Sequence, residues 1–211
     1  MPTMQTTLDL RGLMADMGLD VETAFAQLRQ FYIEVDARLA ERTAGLELPC
    51  HRGCSMCCHE SVFVTPLEFF YTWDWAQSHL DEATRAAIVE RGLALYRLHQ
   101  TRILALQVPP PDGARDHLAV ARLIRFTCPL LGPTGACQVY PVRELNARLF
   151  GSTFFTDDAI YGCHLVSTHL AGRVVTLPSA RALARRLGNL PWTETRQVYP
   201  YYFNLLYGDE D

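Results

Sequence analysis

One ten-residue stretch holds the densest set of reactive side chains in the chain: Cys50-His51-Arg52-Gly53-Cys54-Ser55-Met56-Cys57-Cys58-His59, with four of the seven cysteines and two of the seven histidines. A cysteine kept for packing behaves as a small hydrophobe and has no need of thiol neighbours. Thiols separated by four, three and one residues sit instead around a common centre on one short loop, the arrangement a thiophilic metal ion or an iron–sulfur cluster requires. Thiolates must approach a zinc ion to about 2.3 Å, and a short loop leaves little closure entropy to overcome. Cys128 and Cys137 flank a Pro/Gly-rich turn and Cys163 stands alone; the fold must bring all three to the loop to complete a ligand pool of Cys50, Cys54, Cys57, Cys58, Cys128, Cys137 and Cys163.

Other residue types offer less. His51 and His59 bracket the loop and His164 follows Cys163, so each is positioned to add an imidazole ligand, although an exposed loop histidine needs no metal. His79, His99, His117 and His169 lack such a context. Asp157-Asp158 resembles an acid/base pair only as two neighbours in a loop. There is no Gly-rich phosphate loop, nucleophile elbow or HExxH helix, so the common hydrolase and nucleotide-binding readings have no support.

The elements that must position these thiols read as mainly helical. Asp20 caps a long amphipathic helix with apolar Val21, Phe25, Leu28, Tyr32, Val35 and Leu39, ending near Gly45. Residues 61–64 are short and extended. Thr65-Pro66-Leu67-Glu68 then starts a helix with a capping box and proline at its first position, running to about His79. Its aromatics, Phe69, Phe70, Tyr71, Trp73 and Trp75, suit either the core or a cover over the thiols. Asp81 caps a helix over 82–106, stopped by Pro109, Pro110 and Pro111. Residues 108–116 read as an exposed loop, 117–125 as a short helix, 128–137 as a tight turn or hairpin, and 141–149 as a helix. Ser179 caps a helix ending at Gly188, with Arg181, Arg185 and Arg186 on a solvated face. The tail Tyr199-Pro200-Tyr201-Tyr202-Phe203 should dock on the core.

The 211 residues suffice for a single domain with a substantial core. We divide it into an N-terminal helical segment (1–49), a cysteine-cluster metal-binding core (50–170) and a C-terminal helix with an aromatic tail packed on the same domain (171–211). With 49 % hydrophobic and 20 % charged residues the chain is not of disordered composition. A net charge of −4 argues against a general nucleic-acid binder. Residues 1–20 carry Asp9, Asp16 and Asp20 and no signal-peptide pattern, and no 18-residue apolar run suggests a membrane span. The expected setting is the cytoplasm, where thiols stay reduced and clustered cysteines serve metal or redox chemistry. Seven thiols, an odd number, also leave one over in any fully paired disulfide scheme.

The combination of Cys50-x3-Cys54-x2-Cys57-Cys58, Val64-Thr65-Pro66-Leu67-Glu68, Cys128-Pro129-Leu130-Leu131, Cys137-x-Val139-Tyr140-x-x-Arg143 and Arg148-Leu149-Phe150-Gly151-Ser152 resembles the YkgJ-like cysteine-cluster family, described as zinc- or iron-chelating and usually written CxxCxxCC. The likeness spans roughly residues 50–163, and the first gap is three residues here, where the family has two. A second departure lies where the family typically reads Arg-Pro-x-x-Cys-Arg. This chain has Arg143-Glu144-Leu145-Asn146-Ala147-Arg148, so alanine stands at an expected cysteine. That implies one fewer thiolate, a substitute ligand or a lost site. The surviving Arg143 and Arg148 could donate to cluster sulfurs or carboxylates, or form a helix-surface salt bridge.

The Cys50-x3-Cys54-x2-Cys57 spacing is also that of radical S-adenosylmethionine enzymes, but a long helix precedes it here and no series of strands follows. Flagellin lysine N-methylases look like relatives carrying a similar cluster. The leading expectation is a protein holding a [4Fe-4S] cluster or zinc through clustered thiolates, in which a structural metal would unfold the chain on removal. The alternatives are an iron–sulfur methyltransferase of the lysine N-methylase type and a thiol redox sensor using Cys54, Cys57 and Cys58. No particular protein partner, substrate or oligomeric state follows from the sequence.

Overall fold

The computed structural model describes residues 6–107, 124–156, 159–160 and 162–208. The chain runs α1 (Leu10–Asp16), α2 (Val21–Thr43), a 3₁₀ turn (Met56–His59), β1 (Phe63–Val64), α3 (Pro66–His79), α4 (Glu82–Ala105), a second 3₁₀ turn (Tyr140–Val142), α5 (Leu145–Leu149), β2 (Phe154–Thr156), β3 (Ala159–Ile160), α6 (His164–His169), α7 (Ala180–Leu187), β4 (Gln197–Val198) and α8 (Tyr199–Tyr207). It is a mainly helical single domain, as the periodicity indicates. Among the described residues no helix is long and apolar enough to cross a membrane.

The helices begin where capping chemistry permits. Asp20 accepts from the Thr23 amide and Asp81 from the Thr84 amide, at 3.1 and 2.7 Å. At α3 the capping box is complete: Thr65 Oγ1 accepts from the Glu68 amide while Glu68 accepts from the Thr65 amide. Val21, Phe25, Leu28, Tyr32, Val35 and Leu39 all lie on the buried face of α2.

The main core joins α1, α2, α3, α4, α5, α7 and α8. The aromatics of α3 belong to it: Phe69 stacks on Tyr202 of α8 at 4.6 Å, and Trp73 meets Phe203 edge-on at 5.0 Å. The aromatic tail is thus a docked helix. An antiparallel pair ties distant segments together, β1 to β4 through Phe63↔Val198, and a second, local pair joins β2 to β3 through Phe154↔Ile160. A separate small cluster of Cys163, Val166, Leu170 and Leu177 packs with Leu46, Leu48, Met56 and Phe150 beside the cysteine loop.

Three sequence expectations change or fall outside the described residues. The helix expected over 141–149 is broken, because Arg143 and Glu144 adopt extended backbone and Glu144 caps a new, short α5. Residues 117–123 of the expected short helix, and Pro109 to Pro111, lie outside the described residues; Ile124 and Arg125 are not helical. Helices α1 and α6 were not anticipated. They are seven and six residues long, too short for periodicity to stand out.

Candidate metal centre

All seven cysteines are free. The first four lie on an irregular loop that enters the 3₁₀ turn at Met56. The Cys54 amide donates to His51 O at 3.0 Å and the Cys58 amide to Ser55 O at 2.9 Å, which coils the loop tightly. Two connections bring in the remote thiols. The Cys128 amide donates to Cys58 O at 2.6 Å, so these two residues are joined through the main chain. From there the chain makes the expected hairpin: Gln138 N donates to Leu130 O at 3.0 Å, Gly132 N to Ala136 O at 2.8 Å, and Leu131 bridges to Cys137. Cys137 is thereby returned beside Cys128.

Cys163 arrives by another route. It is buried at the start of α6, against the corner at Gly151. A Cβ on Gly151 would lie 3.0 Å from Cys163 Cβ and 2.9 Å from Val166, and the backbone there has φ +78°, so a side chain is excluded on both counts.

The thiols feel one another's presence. Adjacent in the chain, the Cys57 and Cys58 thiols shift each other in opposite directions, Cys58 well above its ordinary pKa and Cys57 below it. Burial pushes Cys128 well up and Cys137 up to about 12. Cys50, exposed on the loop, is raised to about 11 by desolvation and then by the thiols of Cys54 and Cys57. Cys57 raises Cys50, Cys58, Cys128 and Cys137 alike.

Beneath the thiols lies a buried polar network that composition and spacing did not reveal. Glu144 accepts from the Ala147 amide at 3.1 Å and the Tyr199 hydroxyl at 3.1 Å. Its charge is felt by Cys57, Cys128 and Cys137. Burial, and then the neighbouring Glu68, raise the Glu144 carboxyl above its ordinary value. Glu68 accepts from the Tyr32 hydroxyl at 2.9 Å, the Leu145 amide at 2.8 Å and both the amide and hydroxyl of Thr65 at 3.0 Å. The only sequence signal for Glu144 was its place at a departure from the resembled family, and Glu68 read simply as a capping residue.

The arginines divide. Arg148 is neither a surface bridge nor a sulfur donor: its buried guanidinium pairs with Asp36, donates to the Arg143 and Pro141 carbonyls at 2.7 and 2.9 Å, and lies 4.1 Å over the Tyr32 ring. It thereby clamps the 3₁₀ turn ahead of α5. Arg143 lies over the Tyr140 ring at 4.0 Å, donates to Tyr140 O, and places its charge near Cys50, Cys57 and Cys137.

The histidines are engaged elsewhere or exposed. His51 Nδ1 lies 2.9 Å from Arg52 O, His59 Nδ1 lies 3.5 Å from Thr127 Oγ1, and His164 is exposed. His79 stacks on Trp75 and His169 Nε2 lies 3.0 Å from Leu46 O. Asp157 and Asp158 lie outside the described residues.

The donor set fits a thiophilic centre by its chemistry, being soft and sulfur-rich, with Cys58 and Cys163 buried and Cys50 exposed. It is not closed in advance: among the described residues no three Cys, His, Asp or Glu side chains already surround one ion-sized point. Comparisons with family models, curated proteins and solved structures find no match for this chain.

Proposed function

We propose that this protein binds a thiophilic metal centre, zinc or an iron–sulfur cluster, through Cys50, Cys54, Cys57, Cys58, Cys128, Cys137 and Cys163, as the resemblance to YkgJ-like cysteine-cluster proteins implies. The observation that carries the reading is the convergence of thiols from three separate segments on one loop, joined by the 2.6 Å hydrogen bond from Cys128 to Cys58. Desolvation raises several of these thiols, and a bound cation reverses that effect by stabilising the thiolates. A reducing compartment such as the cytoplasm suits such a centre. The test is anaerobic purification, followed by an absorption spectrum and assays of iron, zinc and labile sulfide on one sample. Iron with matching sulfide, or stoichiometric zinc, is the expected result; protein free of both, and unable to take up either, would sink the reading.

A second reading has its own support. The adjacent thiols of Cys57 and Cys58 in the 3₁₀ turn, with Cys57 held below its ordinary pKa by its neighbour, suit thiol redox chemistry. Mass spectrometry after mild oxidation should then find reversible disulfides involving Cys57; seven thiols still reduced would remove it. The methyl-transfer alternative rests on the sequence likeness alone, and a calorimetric titration with S-adenosylmethionine tests it.

A further inference from the structure

Residues 58–60 and 125–128 lie side by side and run in opposite directions. The Cys128 amide donates to Cys58 O at 2.6 Å, Thr127 Oγ1 lies 3.5 Å from His59 Nδ1, and Arg125 donates to His59 O at 3.4 Å and pairs with Glu60 at 2.6 Å. Cys58 thus stands opposite Cys128, and His59 opposite Thr127. Burial alternates along the second segment, with Ile124 and Phe126 buried and Arg125 and Thr127 exposed, so Cys128 belongs to the inward side. Cys58 is 5 % exposed while the adjoining His59 is exposed, which sets the Cys58 thiol inward as well. Opposed side chains on one face of an antiparallel run stand about 4.5–5.5 Å apart at Cβ.

Two thiols so placed can be joined. A disulfide needs Cα atoms about 4.4–6.8 Å apart and Cβ atoms about 3.5–4.5 Å apart. The bond lengths on either side of the 2.6 Å amide-to-carbonyl contact hold the two Cα atoms within about 6 Å. The short closing movement is open to them, because the Cys58 amide donates to Ser55 O and not back to residue 128, so a single main-chain bond fixes the pair. Among the described residues no other two cysteines share a main-chain hydrogen bond. Cys57 and Cys58 are adjacent, but in a 3₁₀ turn successive side chains diverge by about 120°, and sulfurs aimed apart cannot be bridged without moving the backbone. Packing does not account for the buried thiol either: Cys58 belongs to none of the three apolar clusters, and Cys128 only borders the main one. The structure holds both as free thiols. We propose that Cys58 and Cys128 are a redox pair that closes to a reversible disulfide under hydrogen peroxide, tying the cysteine loop to the hairpin across α3 and α4. The S–S bond forms as the O–O bond of the peroxide breaks; each sulfur gives up one electron and one proton, and the protons leave in the two water molecules produced. The pair stands apart from the metal-binding reading and, unlike the redox reading above, leaves Cys57 out.

The experiment treats the full-length protein, purified reduced and without air, with stoichiometric hydrogen peroxide, blocks the remaining thiols with iodoacetamide and maps the products by mass spectrometry without reduction. The chain has no lysine, so trypsin cuts after arginine alone and places Cys58 in peptide 53–85 and Cys128 in peptide 126–143. The expected product is these two peptides joined, with fragmentation assigning the bond to Cys58 and Cys128 and dithiothreitol releasing it. A bond from Cys57 in the first peptide or Cys137 in the second overturns the pairing, as does a chain that keeps all seven thiols. Wild type should lose two thiols, and Cys58→Ser and Cys128→Ser none in the same time; variants that still lose two overturn the proposal, while the map itself needs only wild type and does not depend on a variant folding. Zinc and iron are assayed on the untreated sample. A chain that binds no metal but forms this bond sinks the metal-binding reading alone, and one that binds metal without forming it sinks only the redox pair.

Discussion

Glu68 and Glu144 show how much a single buried group can carry. Glu68 receives four hydrogen bonds from three elements, and removing its carboxylate would leave buried donors unsatisfied. Glu68→Ala should therefore cost about 3 kcal/mol, measured by urea unfolding; a loss below about 1 kcal/mol would mean that water replaces the carboxylate. Glu144 makes a prediction with a sign. Its folded pKa is raised, so the folded state holds the proton more tightly than the unfolded chain does. The contribution is fully present below the ordinary carboxyl range and is lost as pH rises through the folded value. Metal-free wild type should thus lose stability relative to Glu144→Gln as pH is raised from 4 to 7, and parallel urea midpoints across that range would contradict it.

Among the elements, the pairing of α4 with α8 is the most exacting contact. Gly92 lets the helices approach so closely that an added Cβ would lie 2.4 Å from Phe203 Cδ2. Phe203 cannot easily retreat, being fully buried with Phe69 and Trp73 against its ring. Alanine would raise helix propensity by about 1 kcal/mol, but overpacking costs about 1–3 kcal/mol. Gly92→Ala should therefore come out destabilised, by up to about 2 kcal/mol; a raised urea midpoint would show that propensity wins. The cap of α3 is of similar size. Thr65→Ala removes one half of the capping box and should cost about 1–2 kcal/mol, read by the same unfolding assay.

For the whole molecule, what matters is that the helical core and the thiol patch are largely separate. The main core is built from seven helices with Leu130 and Val139 of the hairpin, and of the thiols it takes only Cys128 and Cys137 at its margin, while Cys163 and the 46–56 segment share the small outer cluster. Removing metal should therefore open the loops without melting the helices, unlike a zinc finger, whose folding depends on its ion. Chelation is expected to leave the far-ultraviolet circular dichroism intact while hydrogen exchange rises in 46–60 and 162–177; loss of the helical signal would contradict this. By itself the sequence determined the long helices, their caps, the docked aromatic tail and the hairpin at Cys128, because side-chain periodicity and capping act over a few neighbouring residues. It also singled out the thiols by their local density. Only the tertiary structure decided that Arg143 and Glu144 interrupt the expected helix, that Arg148 is buried beneath the turn rather than at a sulfur, and that two carboxylates lie under the thiols. These outcomes depend on contacts between residues 36 and 148, 58 and 128, or 144 and 199, which chain closure and burial bring together and which no local pattern encodes.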